Sequence, residues 1–446
     1  MQSTTAVARS LSMSRFRFLH AADLHLDSPL TGLSKKSADF AARVDDASRR
    51  AFDALIELAI AEDCAFVLIA GDVFDGEWRH YSTGVYFASR MRQLAEHGIQ
   101  VFLIFGNHDA ENKFLARLDL SGNVRRFGAR APETMRIAAL DVAIHGQSFA
   151  KREVLENLAA NYPAPIPGAF NIGLLHTACS GREGHASYAP CSVEELRARG
   201  YDYWALGHIH QRELLCETPP ILFPGNLQGR NPRETGPKGA TLVTVEDGRI
   251  SGLENRELDV LRFERRSLDA SDLADMSALR AALKPLLADT AEDAAGRPVA
   301  LRLAINGASR LHGELVTARQ RLSEEIETQI AAEGHDIWLE KLTIETQPEK
   351  ETKGLDAGLA GHLQRIIADI AATDFLKERL DERLAAIESR LPDAAHRAER
   401  LAEWRERLPG HAVTLAAALL EEGTETGDTF DTIGDARQAL EPDEAG

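Results

Sequence analysis

Five short polar motifs each follow an apolar run of the sequence. They supply Asp23 and His25, Asp72 and Asp75, Asn107 and His108, His176, and finally His208 and His210. These side chains offer carboxylate, amide and imidazole donors without a thiolate, a set that suits Mn²⁺, Fe or Zn²⁺ better than a structural zinc site. Two ions about 3.5–4 Å apart clamp a phosphoryl group and activate water. The residue types therefore point to metal-assisted chemistry on a phosphate ester.

The spacing of the first motif suggests how two of its ligands reach one ion. In an extended chain, residues i and i+2 point the same way. We therefore expect Asp23 and His25 to bind one ion together, with Leu24 turned into the protein, and His208 and His210 repeat this spacing. The single carboxylate of Asp72 could bridge two ions.

The elements that must position these motifs form an alternating pattern. We predict strands at 15–20, 65–70, 99–105, 140–146, 170–176, 201–207 and 240–245. Apolar residues from Phe40 to Leu58 recur at i, i+3, i+4 spacing, which predicts a helix between the first two strands. Short apolar strands separated by helices indicate a layered α/β domain with buried sheets. Ligand sites of such domains gather at the carboxyl ends of strands, so the five motifs should converge on one rim.

The pattern changes several times along the chain. We predict a disordered leader at 1–14, with Met13 as an alternative start, and the α/β domain at 15–255. Strands at 297–305 and 335–346, with helices around 270–289 and 311–332, indicate a small α+β domain at 256–345. A polar linker follows at 346–354, then a helical region at 355–420. The acidic stretch 421–446 is predicted to be disordered.

Composition excludes some classes of function. The net charge of −18 argues against a free-standing nucleic-acid binder, although a local basic groove stays possible. The four cysteines form no CxxC pair, which favours reduced thiols in a cytoplasmic protein. No apolar run approaches the ~18 residues of a membrane span, so no membrane contact is expected.

The motif order DxH, GDxxD, GNHD, H, GHxH resembles that of the calcineurin-like metallophosphoesterases. The stretches "FLHAADLHLDSPL", "YAPCSVEELRARGYDYWALGHIH" and "PGNLQGRNPRETGPKGA" resemble the bacterial DNA-repair exonuclease branch, with its SbcD-like and YhaO-like members. The resemblance implies a four-layer α-β-β-α sandwich with a small capping domain and a C-terminal helical region. It also implies two divalent metal ions, with Mn²⁺ expected, and a DNA substrate. The implied partners are an SMC-like coiled-coil ATPase and a second copy of the chain.

The resemblance also assigns roles to the motif residues. One ion would be held by Asp23, His25, Asp72 and His210, and the other by Asp72, Asn107, His176 and His208. A metal-bridging hydroxide would attack phosphorus. His108 would assist the leaving oxygen as a general acid, Asp75 would orient His108, and Asp109 would be structural.

Two segments outside the motifs leave alternatives open. Arg230, Arg233 and Lys238 lie in a Gly-rich loop that is either a solvated surface loop or a contact for DNA phosphates. A leucine stripe at 376–391 is either core packing or, as the resemblance implies, a docking face for the ATPase. The competing functions are a phosphoesterase for a small nucleotide or nucleotide sugar, and a non-catalytic DNA-end or partner-binding scaffold.

Overall fold

The computed structural model describes residues 15–28, 46–75, 82–110, 112, 118, 120–179, 188–349, 379 and 382–383. The predicted leader at 1–14, nearly all of the helical region at 355–420 and the acidic stretch 421–446 lie outside these residues. The described residues divide into two compact units. One contains residues up to 265 together with 290–301 and 336–340, and the other contains 266–289, 302–335 and the residues from 341 onward.

Within the described residues the chain forms fifteen strands and six α-helices. The strands are β1 (Arg15–Ala21), β2 (Phe66–Ala70), β3 (Gln100–Ile104), β4 (Val124–Arg126), β5 (Glu133–Ile137), β6 (Val142–Gly146), β7 (Phe170–His176), β8 (Tyr203–Gly207), β9 (Glu213–Glu217), β10 (Pro220–Phe223), β11 (Gly239–Glu246), β12 (Arg249–Glu257), β13 (Arg262–Asp269), β14 (Val299–Ser309) and β15 (Ile337–Pro348). The helices are α1 (Ala47–Ala61), α2 (Ser82–Glu96), α3 (Val193–Ala198), α4 (Met276–Asp293), α5 (His312–Thr317) and α6 (Arg319–Glu333).

Two six-stranded sheets carry the site. The first has the strand order β12-β11-β1-β2-β3-β4, and the second has the order β5-β6-β7-β8-β10-β9. β1, β2 and β3 are parallel to one another, as are β6, β7 and β8. The carboxyl ends of each parallel set therefore lie at one edge of its sheet. A third sheet has the order β13-β14-β15.

The apolar strands bury residues on both faces. Between the two sheets, the ring of Phe18 stacks on that of Phe66 with centroids 4.8 Å apart, and Tyr203 meets Phe18 edge-on at 5.5 Å. The outer face of the first sheet packs against α1 and α2. The outer face of the second sheet packs around Trp204, against Leu196 of α3 and Leu158 of a 3₁₀ helix. This is the four-layer α-β-β-α order, and the predicted fold class is confirmed.

The seven strands predicted in the first domain all form, with ends that differ by a few residues. The predicted helix begins at Ala47, and its predicted start at Phe40 lies outside the described residues. Six strands were not predicted, namely β4, β5, β9, β10, β12 and β13. β15 ends at Pro348, beyond residue 346 where the linker was expected to begin.

Candidate metal centre

The loops that follow β1 and β2 run side by side beyond the ends of these strands. The amides of Asp23, His25 and Leu26 donate to the carbonyl oxygens of residues 71, 72 and 73 over 2.9–3.0 Å. Leu26 and Phe74 then form a parallel bridge. This pairing brings the first two motifs together although they are far apart in the sequence.

The first ligand group joins both sheets. His25 Nε2 lies 3.2 Å from His210 Nε2, and His210 Nε2 lies 3.8 Å from Asp23 Oδ1. Asp72 Oδ2 is 3.9 Å from His25 Nε2. Nitrogens that are each about 2.0–2.1 Å from one ion lie about 3–3.5 Å apart, so the imidazole separation suits a shared ion.

The second ligand group lies on the other side of Asp72. His176 Nε2 is 3.5 Å from Asp72 Oδ2 and 3.0 Å from Asn107 Oδ1, and the rings of His176 and His208 have centroids 5.2 Å apart. His176 Nδ1 donates to the carbonyl oxygen of Ala70 at 2.9 Å, which leaves the lone pair on Nε2. The same oxygen of Asp72 therefore faces an imidazole from each group, as a bridging ligand must.

The electrostatics of the site fit divalent cations. Burial, followed by the charge of Asp72, raises the pKa of Asp23 well above its usual value. Burial lowers the pKa of His25 and of His176, which keeps both imidazoles neutral and able to bind metal. A buried carboxylate pair with neutral imidazoles around it is stabilised by a cation, and this donor set is the one predicted for Mn²⁺, Fe or Zn²⁺.

The backbone at the ligands differs from the extended geometry that the spacing suggested. Asp23 has a φ of 51°, His25 of 42°, Asp72 of 53° and His208 of 105°, all in the left-handed half of the map. The extended-strand geometry that was expected to aim Asp23 and His25 at one ion is therefore wrong. β1 ends at Ala21, and tight left-handed turns aim the ligands. Leu24 is buried, as expected. Such strained residues concentrate at functional sites.

Two glycines let the backbone pass close to the ligands. A Cβ on Gly106 would collide with Asp72 Oδ1, and a Cβ on Gly207 would collide with the carbonyl oxygen of Ala70. That carbonyl is the acceptor that orients His176. The GNHD and GHIH motifs therefore need glycine at these positions, because no room exists for a side chain.

His108 lies beside the ligands and is held by Asp75. Its Nδ1 is 2.9 Å from Asp75 Oδ1, and Ser28 donates to the other oxygen of Asp75 at 2.9 Å. The hydrogen bond from His108 is the main cause that lowers the pKa of Asp75 to about 2. Burial lowers the pKa of His108, but the bond to Asp75 and the charge of Asp72 outweigh it, and the net shift is upward. The carboxylate of Asp75 thus favours the protonated form of His108.

Comparison with known proteins identifies the family. The calcineurin-like phosphoesterase family matches residues 16–212, and the family described as "Metallophosphoesterase YhaO, middle domain" matches residues 263–347. The uncharacterised metallophosphoesterase YhaO of Bacillus subtilis (strain 168) is 36% identical over 360 residues, which cover 78% of this chain and 86% of that relative. The chain belongs to the calcineurin-like metallophosphoesterases. The predicted resemblance is confirmed, and this chain is a metal-dependent phosphoesterase.

More distant relatives of this metallophosphoesterase include proteins named for DNA double-strand break repair, the Mre11 proteins. That of Methanopyrus kandleri is 26% identical over 272 residues, 56% of this chain and 55% of the relative. That of Sulfurisphaera tokodaii is 24% identical over 279 residues, 59% of this chain and 68% of the relative. Among the residues that the structure describes, no helix combines the length and the apolar character needed to cross a membrane.

Asp109 of the metallophosphoesterase motif GNHD connects the loops that follow β2 and β3, and its hydrogen bonds indicate a structural role. Its carboxylate accepts hydrogen bonds from the amides of Val73, Phe74 and Gly106 at 3.0–3.2 Å. Burial raises the pKa of Asp109 to about 7. It thus ties the second motif to the third, in line with the structural role expected of it.

The three basic residues predicted to bind substrate occupy different environments. Arg230 Nη1 lies 3.5 Å from Asp75 Oδ1, at the His108 side of the centre. Arg233 is exposed. Lys238 is buried, with 4% of its surface exposed, and donates to the carbonyl oxygen of His210 at 3.0 Å. Arg230 thus lies at the candidate centre and Arg233 at the surface, whereas the ammonium of Lys238 holds the backbone of His210.

Glu234 is a site residue that was not predicted from the sequence. Its Oε1 accepts a hydrogen bond from His210 Nδ1 at 2.9 Å. Burial opposes the charge of Glu234, but this bond and the nearby Arg230 lower its pKa to about 2. A glutamate in a polar Gly-rich loop is typical of a solvated surface, so the sequence offered no specific signal for Glu234, which lies in the loop that connects β10 to β11.

Proposed function

We propose that this metallophosphoesterase hydrolyses phosphodiester bonds of DNA with two Mn²⁺ ions, as a DNA-repair exonuclease with His108 as the general acid. The observation that carries the catalytic part is the position of Asp72. Its Oδ2 faces His25 on one side and His176 on the other, while its Oδ1 accepts the amide of His108 at 3.0 Å. One carboxylate thus connects both ligand groups to the proposed proton donor.

Each group at the centre has a separate role in the proposed reaction. When bound, two divalent ions supply charge that neutralises the phosphate and lowers the pKa of the attacking water. Asp75 engages Nδ1 of His108, so Nε2 is available to pass a proton to the leaving oxygen. Arg230 lies beside this pair, where its guanidinium can offset the charge that builds up on the phosphoryl oxygens.

Two observations support DNA over a small substrate. The Mre11 relatives carry the names of DNA-repair proteins and match more than half of this chain. Arg230 and Arg233 also provide local positive charge in a chain whose net charge is −18. The alternative is a phosphoesterase for a small nucleotide or nucleotide sugar, because the metal centre itself would serve either substrate. A scaffold without catalysis is disfavoured by the intact His108–Asp75 pair.

The proposed partners follow from the resemblance to the repair branch. We expect an SMC-like coiled-coil ATPase to dock on the stretch 376–391, almost all of which lies outside the described residues. A homodimer is the proposed assembly, and the cytoplasm is the proposed location. Sedimentation of the chain alone and with the ATPase tests both the dimer and the partner.

Cleavage assays separate the candidate substrates. Linear double- and single-stranded DNA and bis-p-nitrophenyl phosphate are incubated with Mn²⁺ and wild type or His108→Ala. We expect DNA cleavage by wild type and its loss in the variant. Hydrolysis of the diester without DNA cleavage, both alone and after addition of the ATPase, would favour the small-substrate alternative. DNA processing that survives unchanged in His108→Ala would show that the assigned mechanism is wrong.

A further inference from the structure

Glu234 collects hydrogen bonds from three other parts of the loop that connects β10 to β11. Its Oε2 accepts from Asn226 Nδ2 and from the amide of Arg230, each at 2.8 Å. Its Oε1 accepts from Asn231 Nδ2 at 2.9 Å, in addition to His210 Nδ1. Its side chain is 12% exposed. Four donors use nearly the whole acceptor capacity of a carboxylate, so its position is closely determined.

The bond to Glu234 decides which nitrogen of His210 can bind metal. A carboxylate only accepts, so Nδ1 of His210 must carry the proton and Nε2 must carry the lone pair. That Nε2 is the atom 3.2 Å from His25 Nε2 and 3.8 Å from Asp23 Oδ1. Lys238 holds the backbone of the same histidine through its carbonyl oxygen.

The same carboxylate also places Arg230. It accepts the Arg230 amide and lies 3.7 Å from Arg230 Nε, while the far end of that guanidinium is 3.5 Å from Asp75. Asp75 in turn holds His108. Glu234 is therefore connected to a metal ligand on one side and to the proton-donor pair on the other.

We infer that Glu234 is a positioning residue that fixes His210 for metal binding and, through the backbone of Arg230, sets the guanidinium beside Asp75. The inference concerns the metal centre of a phosphoesterase and does not depend on whether the substrate is DNA. Hydrogen-bond acceptors behind a metal-binding histidine typically contribute 10–100-fold to metal affinity.

Calorimetric titration of metal-free protein with Mn²⁺ tests the inference without any measurement of activity. Glu234→Gln keeps the shape but places an amide donor opposite the donors of the loop. We expect a loss of about 10–100-fold in affinity for Mn²⁺ at one site and little change at the other. Glu234→Ala, if it folds, should lose as much. Nitrogen NMR of His210 should show an Nδ1–H tautomer in wild type and a mixture in Glu234→Ala.

Two control variants separate this role from general loosening of the fold. Glu62→Gln removes a carboxylate of similar burial that pairs with Arg17 and Arg256 away from the centre, and should bind Mn²⁺ like wild type. Arg230→Ala should lose no affinity for Mn²⁺, because its side chain binds no metal and its positive charge, which opposes protonation of His25, also opposes binding of a cation. Folded Glu234→Gln with wild-type affinity would overturn the inference, as would an equal loss of affinity in Glu62→Gln or Arg230→Ala.

Discussion

Asp75 Oδ1 lies 2.9 Å from His108 Nδ1, and the two side chains are equally exposed at 28%. The contact raises the pKa of the imidazole against the effect of its own burial. A partly exposed imidazole with a raised pKa, beside the buried candidate ligands, is suited to donate a proton to a substrate that arrives from solvent.

Replacing Asp75 with asparagine should lower kcat for bis-p-nitrophenyl phosphate by about 10-fold or more, since general acids contribute about 10²–10⁴-fold in total. Loss of the negative charge lowers the pKa of His108, so the proton is lost at lower pH. The alkaline limb of the rate profile should therefore move to lower pH. Asp53→Asn, which breaks a surface pair with Arg90, is the matched control. An unshifted limb in Asp75→Asn would contradict the orienting role.

Asp72→Asn should reduce the stabilisation by Mn²⁺ without lowering the stability of the metal-free protein. The charge of Asp72 contributes to the raised pKa of Asp23, and each pKa unit relieved there is worth about 1.4 kcal/mol. The free energy of unfolding of the metal-free variant should thus be equal to or above that of wild type. Mn²⁺ at 100 times its Kd should stabilise wild type by about 2.7 kcal/mol per site, and the variant by much less. Urea unfolding with and without Mn²⁺ measures both quantities, and a variant that Mn²⁺ stabilises fully would rule out a bridging role.

Gly207→Ala should disturb the second ligand group by steric overlap. The added Cβ would displace the carbonyl oxygen of Ala70, which orients His176. We expect a loss of about 1–3 kcal/mol in unfolding free energy and weaker binding of Mn²⁺. Gly122→Ala, where a Cβ has no neighbour within 4 Å, serves as the control. Equal effects of both substitutions would show that the space at Gly207 is not decisive.

His20 should make the stability of the metal-free protein depend on pH. Burial lowers its pKa from 6.5 to about 3, so below pH 6.5 the unfolded chain binds a proton that the folded chain does not. The stabilisation present above pH 6.5 is lost as pH falls toward 3, by about 1 kcal/mol between pH 6.5 and 5.5. His20→Gln should remove this part of the pH dependence. Tyr203→Phe removes the hydroxyl bound to His20 and should retain it. Urea unfolding at pH 5.5, 6.5 and 7.5 makes the comparison, and an identical slope in His20→Gln would contradict the assignment.

Arg233 should contact DNA phosphate if the proposed substrate is correct. Arg233→Ala is expected to weaken binding of DNA about equally for all sequences and to reduce the slope of log K against log salt by about 1. Arg15→Ala removes an exposed charge at the amino-terminal end of β1, opposite the end that leads to the ligands, and should leave the slope unchanged. Filter binding over a range of salt concentrations distinguishes them. An unchanged slope in Arg233→Ala would remove this residue from the proposed interface.

The order of motifs along the chain was enough to predict that Asp23 and Asp72 lie close together, because both follow apolar strands and parallel strands of one sheet end at one edge. That Asp72 also meets His176 depends on how the second sheet packs against the first, which the sequence pattern does not specify. The apolar runs also located the buried strands of the first domain to within a few residues. The edge strands β4, β5 and β9 are short and half polar, and they carry little signal.

Features that depend on close three-dimensional contacts could not be predicted in this way. The left-handed φ of Asp23 and His25 comes from loop pairing with residues 71–73, which spacing alone does not reveal. Lys238 was expected either in a solvated surface loop or at a DNA phosphate, yet it is buried and its ammonium donates to the carbonyl oxygen of His210. Glu234 was not predicted because its hydrogen-bond partner His210 lies 24 residues away in the sequence.

The seven predicted ligands come from both sheets. Asp23, His25, Asp72 and Asn107 follow strands of the first sheet, whereas His176 ends a strand of the second and His208 and His210 follow another. During synthesis, β1 to β3 emerge well before His176 and His210 exist. With the predicted ligand sets, neither ion could acquire all its ligands until the second sheet has packed against the first. Metal binding is therefore expected late in folding, and a bound ion would then resist separation of the two sheets.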